Sequence, residues 1–552
     1  MRTEQIPTIF RLKTIYCILP FWIVITICLA SNISFPDLGH FIKSGEVMLE
    51  SRAILSQDLF THTYHGLHYI NSGWLSQVSF AFCERMSGLE IFIFLKTILL
   101  IITITIIYHF IWNITKNYRI SLIFIFFTIV LGITNWSVRP QIFIIPIFAF
   151  FYSHLYRTET IKSSFILLFS FLMILWVNFH SSFSLGIILV GIFLVGEAIE
   201  KYSGSRRIKD LIKDSRLKRF LFLLIILVSV TLINPYGIDI WRDMWANASI
   251  SQERSTEWKP TIMKDFTGYC YIISIVISGI ILKYSKRRIT VTEAVLLLAF
   301  LFAGFKASRM IIWWGIVSAP ILAVHFCSID AVRERISGGK GQGAGSGSEC
   351  LPLNILIIIF LVIATVSFLP WFRPYHPIEK VTTFINPETN PVEIVNYIKG
   401  EKLKGNMYND INWGSYIIWR LWPEYKVFAD NRLHLVPEEI WKDCEDVRYG
   451  LRNWEKILDK YKISFVVLSK KDNKRTIEFI KNSQGWKKVY EDNVGAVFVR
   501  RLKGDDSGLI ARPTVIQGSS PAAANSTLFQ RRRYASADLQ HHVLNDSQAR
   551  QP

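Results

Sequence analysis

The sequence predicts an α-helical polytopic membrane protein with a small α/β region near its C-terminal end. Of the 552 residues, 51% are apolar and only 19% are charged. The apolar residues gather in runs about as long as a lipid bilayer is thick. A soluble protein of this length would carry about 25% charged residues. The composition therefore excludes a soluble enzyme, a fibrous protein and a mainly disordered chain.

The apolar runs predict about eleven transmembrane helices. Several runs are short, which favours tilted or broken helices. The first run follows Arg11 and Lys13, as the apolar part of a signal peptide would, but no cleavage site of small residues comes after it. We therefore expect an uncleaved anchor. The runs lie near residues 14–33, 89–112, 120–134, 142–156, 163–177, 184–200, 220–234, 267–282, 289–304, 310–327 and 351–370.

The placement of lysine and arginine predicts the orientation. If the N-terminus lies inside, the inner segments carry more than twice as many of these residues as the outer loops, which is the bias that membrane proteins show. We expect a multi-pass protein of the cytoplasmic (inner) membrane whose C-terminal domain lies outside. Basic loops that face anionic lipid account for much of the formal charge of +19, so no nucleic-acid partner is expected.

Changes of composition along the chain predict three regions. Residues 1–375 form the membrane domain, and its first outer loop, 34–88, is the longest. Residues 376–502 alternate between charged and apolar positions and read as an extracytoplasmic α/β domain. Residues 503–552 lack an apolar pattern and read as a disordered tail. Within the α/β domain the pattern predicts helices over 437–448 and 453–460 and extended stretches over 426–430 and 463–469.

Two acidic residues of the first outer loop are the candidate catalytic residues. Asp37 follows the first span directly, so its carboxylate lies at the membrane surface, either as a solvated loop residue or as a general base. Asp58 could supply a second carboxylate for acid–base chemistry or for binding a metal. No cysteine or histidine spacing typical of a structural zinc site is present. His62, His65 and His68 recur every three residues, but Gly66 indicates a turn there, so we assign no metal site.

The remaining candidates lie in other segments that are predicted to be outside. Arg139 and Arg309 stand at the ends of spans, where an arginine either reaches for lipid headgroups or captures a phosphate with two hydrogen bonds. His180 lies in a short turn, where it either makes a structural hydrogen bond or contacts a substrate. Glu257 and Trp258 would suit a sugar ring, or Trp258 is an ordinary interfacial tryptophan. Lys96, two turns inside a span, is expected to reach outward to the membrane surface.

These residues belong to a series of motifs with a fixed order. Asp37 is followed by D-x-F-x-x-T at Asp58 and by N-x-x-W-L at Asn71. Further along come R-P-Q, W-x-N-x-H-x-x-F, N-P-Y-G, E-W, the late Arg309 and the segment Tyr408–Arg432. Over roughly residues 12–502 the chain resembles the bacterial polytopic membrane proteins that are related to GT-C fold glycosyltransferases.

The resemblance implies an enzyme that transfers a sugar from a polyprenyl-phosphate donor to an acceptor on the extracytoplasmic face. It implies Asp37 as the catalytic or metal-linked acid and Arg309 as the residue that meets the carrier phosphate. Many relatives have a second acid close to the first, but Phe35 stands two positions before Asp37 here, which puts dependence on a divalent metal in doubt. The donor sugar and the acceptor, whether glycan, lipid or protein, do not transfer from the resemblance.

The chemistry of sugar transfer agrees with these roles for Asp37 and Arg309. Displacement at an anomeric carbon requires a base for the acceptor hydroxyl, opposite the leaving phosphate. Asp37 would be this base, Arg309 or Arg139 would stabilise the leaving group, and the external α/β domain could hold the acceptor. The candidate substrate-binding residues are His40, Arg139, Gln141, Asn178, His180, Glu257, Trp258 and Arg309.

Two other functions fit the same sequence. A non-catalytic membrane scaffold with a degenerate transferase fold would show the same motifs. A transporter of lipid-linked sugar would carry ionisable residues near the middle of its spans, and such residues are nearly absent here.

Overall fold

A computed structural model of the chain describes residues 12–33, 35–157, 162–261, 265–338, 351–378 and 383–501. The tail predicted over residues 503–552 lies outside this part of the chain.

Helices make up the region before residue 376. In chain order they are α1 (Leu12–Ala30), α2 (Leu38–Ser51), α3 (Trp74–Ser87), α4 (Glu90–Thr115), α5 (Tyr118–Gly132), α6 (Ile144–Arg157), α7 (Ser163–Phe179), α8 (Ser184–Ser205), α9 (Ile208–Lys213), α10 (Ser215–Val230), α11 (Asp239–Arg254), α12 (Phe266–Tyr284), α13 (Val291–Lys306), α14 (Ile311–Cys327), α15 (Asp330–Gly338) and α16 (Leu351–Ser367).

Each of the eleven apolar runs overlaps one of these helices. Six helical segments in the described part of the chain are long and apolar enough to cross a membrane, and two shorter apolar helices, α7 and α16, accompany them. The protein is therefore a multi-pass membrane protein, while the count of eleven spans stays a prediction. The six segments are Leu12–Ala30, Glu90–Thr115, Tyr118–Asn135, Ser181–Ser205, Phe266–Tyr284 and Ser308–Cys327.

Helix α14 lies at the centre of the bundle. It is apolar all round, as a helix surrounded by other helices must be, and 78% of its segment is buried. Neighbouring helices are joined to it by hydrogen bonds: the Tyr152 hydroxyl donates to the Val317 carbonyl at 2.8 Å, and the Trp314 indole donates to Ser274 at 2.8 Å. These bonds satisfy polar groups that lipid could not satisfy.

The C-terminal region is the predicted α/β arrangement. Its four strands run in the order β1-β2-β4-β3, with β1 parallel to β2 and the other neighbours antiparallel. The helices predicted over 437–448 and 453–460 and the extended stretch predicted over 463–469 are confirmed. The elements are α17 (Val392–Glu401), β1 (Asn406–Asn409), α18 (Gly414–Leu421), α19 (Glu438–Arg448), α20 (Trp454–Lys460), β2 (Ile463–Ser469), α21 (Lys474–Asn482), β3 (Trp486–Glu491) and β4 (Gly495–Arg500).

The stretch over 426–430 is extended but is not a strand of this sheet. It forms a single parallel bridge between Val427 and Thr61 of the first outer loop. The Val427 amide donates to the Phe60 carbonyl at 3.0 Å, and the His62 amide donates to the Val427 carbonyl at 3.0 Å. The alternating apolar residues of this stretch therefore reflect contact with the loop. The sequence pattern could not distinguish such contact from pairing within the sheet.

The segment between α1 and α4 and the C-terminal region share one hydrophobic cluster. Phe35, Leu38 and Phe60 from the loop pack with residues such as Trp413 and Tyr416. Gly39 of α2 lies so close to α18 that a Cβ there would stand 2.2 Å from the Ser415 carbonyl oxygen. This contact holds the start of α2, and with it Asp37, against the C-terminal region.

Candidate functional site

Asp37 immediately precedes α2. Its Oδ2 lies 2.9 Å from Nε of Arg139, which belongs to the connection between α5 and α6. Arg139 is extended, with φ −134° and ψ 161°, as the residue before a proline prefers to be. The extended backbone directs its guanidinium between two loops, since Nη1 also lies 2.5 Å from Oε2 of Glu257. One arginine thus bridges two carboxylates from distant loops.

The two carboxylates differ in basicity. Burial raises the pKa of Asp37, and the Arg139 guanidinium only partly opposes this effect. Burial also acts on Glu257, but its ion pair and hydrogen bond with Arg139 outweigh it and lower the pKa of Glu257. A carboxylate with a raised pKa is the stronger proton acceptor. Asp37 is therefore the more basic of the two carboxylates.

Arg309 is the arginine at this site with the least charge compensation. It lies in the short turn Ser308–Met310 between α13 and α14. Its Nη2 donates to Oε1 of Gln141 at 3.0 Å, and its guanidinium lies 5.0 Å from the centre of the Trp258 ring. Within the described ranges, Arg309 takes part in no ion pair. No described carboxylate therefore contacts its guanidinium directly.

Arg139 and Arg309 line a cavity of about 270 Å³. Asp37 is not among the lining residues, but its carboxylate contacts Arg139, which is. Lys96 does line the cavity: it is buried, with 5% exposure, and its ammonium donates to the Ser31 hydroxyl. The prediction that Lys96 reaches outward to the surface is therefore wrong, because a polar cavity accommodates its charge. The lining residues are Ser31, Asn32, Lys96, Ile133, Thr134, Asn135, Trp136, Ser137, Val138, Arg139, Gln141, Glu257 and Arg309.

Two other candidates have local structural partners. Asn178 accepts from the Trp74 indole at 2.8 Å and donates to the carbonyls of Ile174 and Ile233. It thereby ties three chain segments together. The His180 Nδ1 accepts from the Ser182 amide at 3.0 Å and so caps the turn after α7. Burial, with a smaller contribution from Arg309, lowers the pKa of His180 to about 3, so this histidine is neutral.

His40 faces the C-terminal region rather than the cavity. Its backbone amide donates to the Ser415 hydroxyl at 3.0 Å, and its ring lies against Phe41. Burial lowers the pKa of His40 to about 3, although the charge of Asp430 opposes the shift. Its Nδ1 is buried and has no hydrogen-bond partner in the part of the chain that the structure describes.

Asp58 lies in a buried ion pair away from the cavity lining. It is fully buried and accepts from the amide and the hydroxyl of Thr61 at 3.0 and 2.6 Å. Its Oδ1 lies 2.5 Å from Nη2 of Arg432, and the same nitrogen lies 2.6 Å from Asp430. Sequence analysis singled out Asp58 but not its partners. The run Asp430-Asn431-Arg432, with acid and base two residues apart, was the only available signal.

The three histidines of the first loop do not converge. The His62 ring contacts the Met407 carbonyl at 2.9 Å, His65 faces Lys426, and His68 contacts Gln57 at 2.8 Å. No group of three or more His, Cys, Asp or Glu side chains that could hold a metal occurs among the residues described.

The structure thus brings six sequence-predicted residues together at one end of the helical bundle. They come from four segments that the lysine and arginine bias predicts to lie on the same side of the membrane. Lys96 is the residue of this site that sequence analysis misread, although a lysine inside an apolar run was its signal. The six residues are Asp37, Arg139, Gln141, Glu257, Trp258 and Arg309.

No family model matches the chain, and no curated protein matches it in sequence. Solved structures that are similar in fold include ArnT and AglB. ArnT from Cupriavidus metallidurans, bound to undecaprenyl phosphate, is 11% identical and has a TM-score of 0.50, with 91% of this chain and 99% of that chain covered. The archaeal oligosaccharyltransferase AglB from Archaeoglobus fulgidus, in complex with an inhibitory peptide and a dolichol-phosphate, is 10% identical and has a TM-score of 0.50, with 89% and 75% covered.

At such low identity the likeness establishes the fold. It extends over both the helical bundle and the C-terminal region, and it confirms the fold expected from the order of the sequence motifs. The chain is a multi-pass membrane protein with the GT-C fold of ArnT and AglB.

Proposed function

We propose that the protein is a membrane glycosyltransferase that transfers a sugar from a polyprenyl-phosphate donor to an acceptor on the extracytoplasmic face. The observation that carries the proposal is the asymmetric use of two arginines beside one cavity. Arg139 is engaged by Asp37 and Glu257, whereas Arg309 has only the neutral Gln141 and the Trp258 ring as described partners. The site therefore pairs a carboxylate of raised pKa with a cation that is available to a phosphate.

The fold supports the class of donor. Two proteins of this fold, which differ widely from this chain in sequence, are seen with undecaprenyl phosphate and with dolichol-phosphate. A lipid phosphate keeps its hydrocarbon tail in the bilayer and its headgroup at the surface, where the cavity between the span ends lies. A guanidinium suits such a headgroup, because hydrogen bonds between charged partners are about twice as strong as neutral ones.

In the proposed reaction Asp37 accepts the proton of the acceptor hydroxyl as the oxygen bonds to the anomeric carbon. The bond between that carbon and the phosphate oxygen breaks, and Arg309 stabilises the negative charge that the carrier phosphate gains. Glu257 has a separate part in this scheme. When Asp37 becomes protonated it no longer holds Arg139 by charge, and the 2.5 Å contact with Glu257 keeps Arg139 in place.

The described residues do not fit a divalent metal at this site. Asp37 and Glu257 are both paired with Arg139, and Phe35 stands two positions before Asp37, where the resemblance leads us to expect a second acid. The proposed reaction therefore uses no metal-dependent step.

Replacing Arg309 by alanine should weaken binding of undecaprenyl phosphate about ten- to hundredfold, because a hydrogen bond to a charged partner is lost. Native mass spectrometry of the purified protein with added undecaprenyl phosphate measures this effect. Lys306→Ala is the matched control, since Lys306 is an exposed cation at the end of α13, three residues before Arg309. Equal losses in both variants would show that general surface charge, and not Arg309, holds the phosphate.

The proposed orientation has its own test in a cysteine-free background. Gln252→Cys and Glu401→Cys should react with a membrane-impermeant thiol reagent in intact cells, because both exposed positions are proposed to lie outside. Lys209→Cys, an exposed position between α8 and α10, should react only after permeabilisation. The reverse pattern would place the site on the cytoplasmic face and would contradict an extracytoplasmic reaction.

A further inference from the structure

One short segment of the C-terminal region touches both loops that carry the site's carboxylates. This segment, Asp430–Glu438, is called the strap below. On one side, the Asn431 side chain donates to the Pro36 carbonyl at 2.8 Å. Pro36 directly precedes Asp37. The strap therefore holds the backbone from which the proposed base projects.

On the other side, the strap is held by Arg254, the last residue of α11. Its Nη1 donates to the carbonyls of Leu433 and Val436 at 2.9 and 2.7 Å. Its Nη2 lies 2.6 Å from Glu438, and its guanidinium lies 5.0 Å from the centre of the Trp441 ring. A planar guanidinium can make these contacts at the same time, which the single ammonium of a lysine cannot reproduce.

Arg254 stands three residues before Glu257. Three residues of extended chain span at most about 11 Å, so fixing Arg254 restricts where the turn Thr256–Trp258 can lie. The turn is also held from the opposite side, where the Ser308 hydroxyl donates to the Glu257 carbonyl at 3.2 Å. Glu257 and Trp258 are thus placed between the strap side and the Arg309 loop.

The strap is itself rigidly held. Arg432 is buried, with 5% exposure, and its pairing with Asp430 and Asp58 anchors the strap to the first outer loop. The Arg432 guanidinium also lies 5.2 Å from the centre of the Phe60 ring. A buried arginine with two carboxylate partners resists displacement, since moving it would leave buried charges unpaired.

We propose that the strap sets the separation of Asp37 and Glu257 on either side of Arg139, with Arg254 and Asn431 as its positioning residues. The C-terminal region would then be part of the catalytic geometry, in addition to any part in holding an acceptor. This inference rests on the proposed function, because it concerns the geometry of the same site.

Hydrogen–deuterium exchange of the full-length protein in lipid nanodiscs tests the strap without a known donor. Arg254→Gln should speed exchange of backbone amides over residues 255–261 roughly tenfold or more, because the side-chain hydrogen bonds that fix the end of α11, directly before this turn, to the strap are lost. Asn431→Ala should do the same over residues 37–41. Arg254→Lys should restore part of the protection, since an ammonium still reaches a carbonyl.

Arg242→Gln is the control for Arg254→Gln. Arg242 lies on the same helix, its side chain is 82% exposed, and its only described ion pair is with Asp239. Unchanged exchange over 255–261 in Arg254→Gln would overturn the strap, and so would an equal change in Arg242→Gln. An equal rise over the distant strand Ile463–Ser469 would also overturn it, because that would show general loosening. If Arg254→Gln does not accumulate, Arg254→Lys replaces it. Exchange over 255–261 is then compared with Arg242→Gln in the same way, with a smaller expected rise.

Turnover separates this inference from the proposed function. With a donor that the parental protein uses, Arg254→Gln should lower kcat about tenfold while KM for the carrier changes by less than about threefold, since misplacement affects the reacting groups more than the phosphate contact. A parental protein that is inert with every polyprenyl-linked donor would overturn the proposed function and leave the exchange result standing. An active protein whose exchange pattern does not respond would overturn the strap alone.

Discussion

Asp37→Asn should lower the rate of sugar transfer by about 10²–10⁴-fold, the usual loss when a general base is removed. Asparagine keeps the shape of the side chain but cannot accept the proton. Arg139 should stay in place, because its contact with Glu257 at 2.5 Å is unaffected. Binding of undecaprenyl phosphate should therefore remain close to the parental value. Transfer of label from a polyprenyl-linked donor and carrier binding, measured on the same preparation, check both parts.

Glu257→Gln is the matched control, since it also converts a carboxylate that contacts Arg139 into an amide. We expect a smaller loss of rate, because Arg139 lowers the pKa of Glu257 and makes it a poor base. If Asp37→Asn transferred sugar at the parental rate, the assignment of the base would be wrong. A larger loss in Glu257→Gln than in Asp37→Asn would transfer the role to Glu257.

The dependence of kcat/KM on pH should show the same group. Burial raises the pKa of Asp37 above its usual value of 3.8, and only the ionised form accepts a proton. The rate should therefore fall as the pH drops through this raised pKa, at a higher pH than an exposed aspartate would require. The acidic limb should disappear from the residual activity of Asp37→Asn.

Arg432→Met should destabilise the protein by about 3–5 kcal/mol, the usual cost of breaking a buried ion pair from one side. Methionine fills much of the volume but leaves Asp58 and Asp430 buried beside each other without a cation. Pulse proteolysis in urea, followed through a cleavage site in the C-terminal region, measures the change in the free energy of unfolding.

Arg242→Met is the control for this variant, and we expect a change within about 0.5 kcal/mol, as for other exposed substitutions. The triple variant with Asp58→Asn and Asp430→Asn should recover part of the loss, because both uncompensated charges are then removed. A loss in Arg432→Met no greater than that in Arg242→Met would show that the pair contributes little to stability.

The same ion pair predicts how stability depends on pH. Burial acts to raise the pKa of Asp430, but Arg432 outweighs it, so the pKa is lowered below 3.8. A carboxyl whose folded pKa is lowered contributes its full stability above the unfolded pKa and loses it as the pH falls through the folded pKa. The parental protein should therefore lose this contribution only below about pH 4. Arg432→Met should lack it at neutral pH as well.

Much of the candidate site was predictable because its residues stand next to the ends of apolar runs. Four residues were picked from loops on one predicted side of the membrane, and the structure places them in one cluster. They are Asp37, Arg139, Glu257 and Arg309. Their individual roles were not predictable in this way. By position alone Arg139 and Arg309 looked equivalent, and only the family resemblance favoured Arg309 for the phosphate. In the structure Arg139 is paired with two carboxylates and Arg309 with none that is described.

Asp58 shows the limit of sequence reasoning more clearly. Its position in the loop favoured a second catalytic carboxylate as much as a structural role, and its partner Arg432 lies 374 residues further along the chain. For Lys96 the sequence favoured a single reading, and it was wrong. A lysine in an apolar run reaches outward only when nothing polar lies beside it. Here the cavity next to Ser31 accommodates its charge.

The amino-acid sequence by itself determined the membrane class, the positions of the helices in the eleven apolar runs, and the helices α19 and α20 and the strand β2 of the C-terminal region. These features depend on hydrophobic runs and alternation, which act over neighbouring residues and can be read locally. Only the tertiary structure decided which loops meet, that Val427 pairs with the first loop instead of the sheet, and which charges neutralise each other. Ion pairs and cavities join residues that are far apart in the chain, so their energies depend on packing that no local pattern encodes.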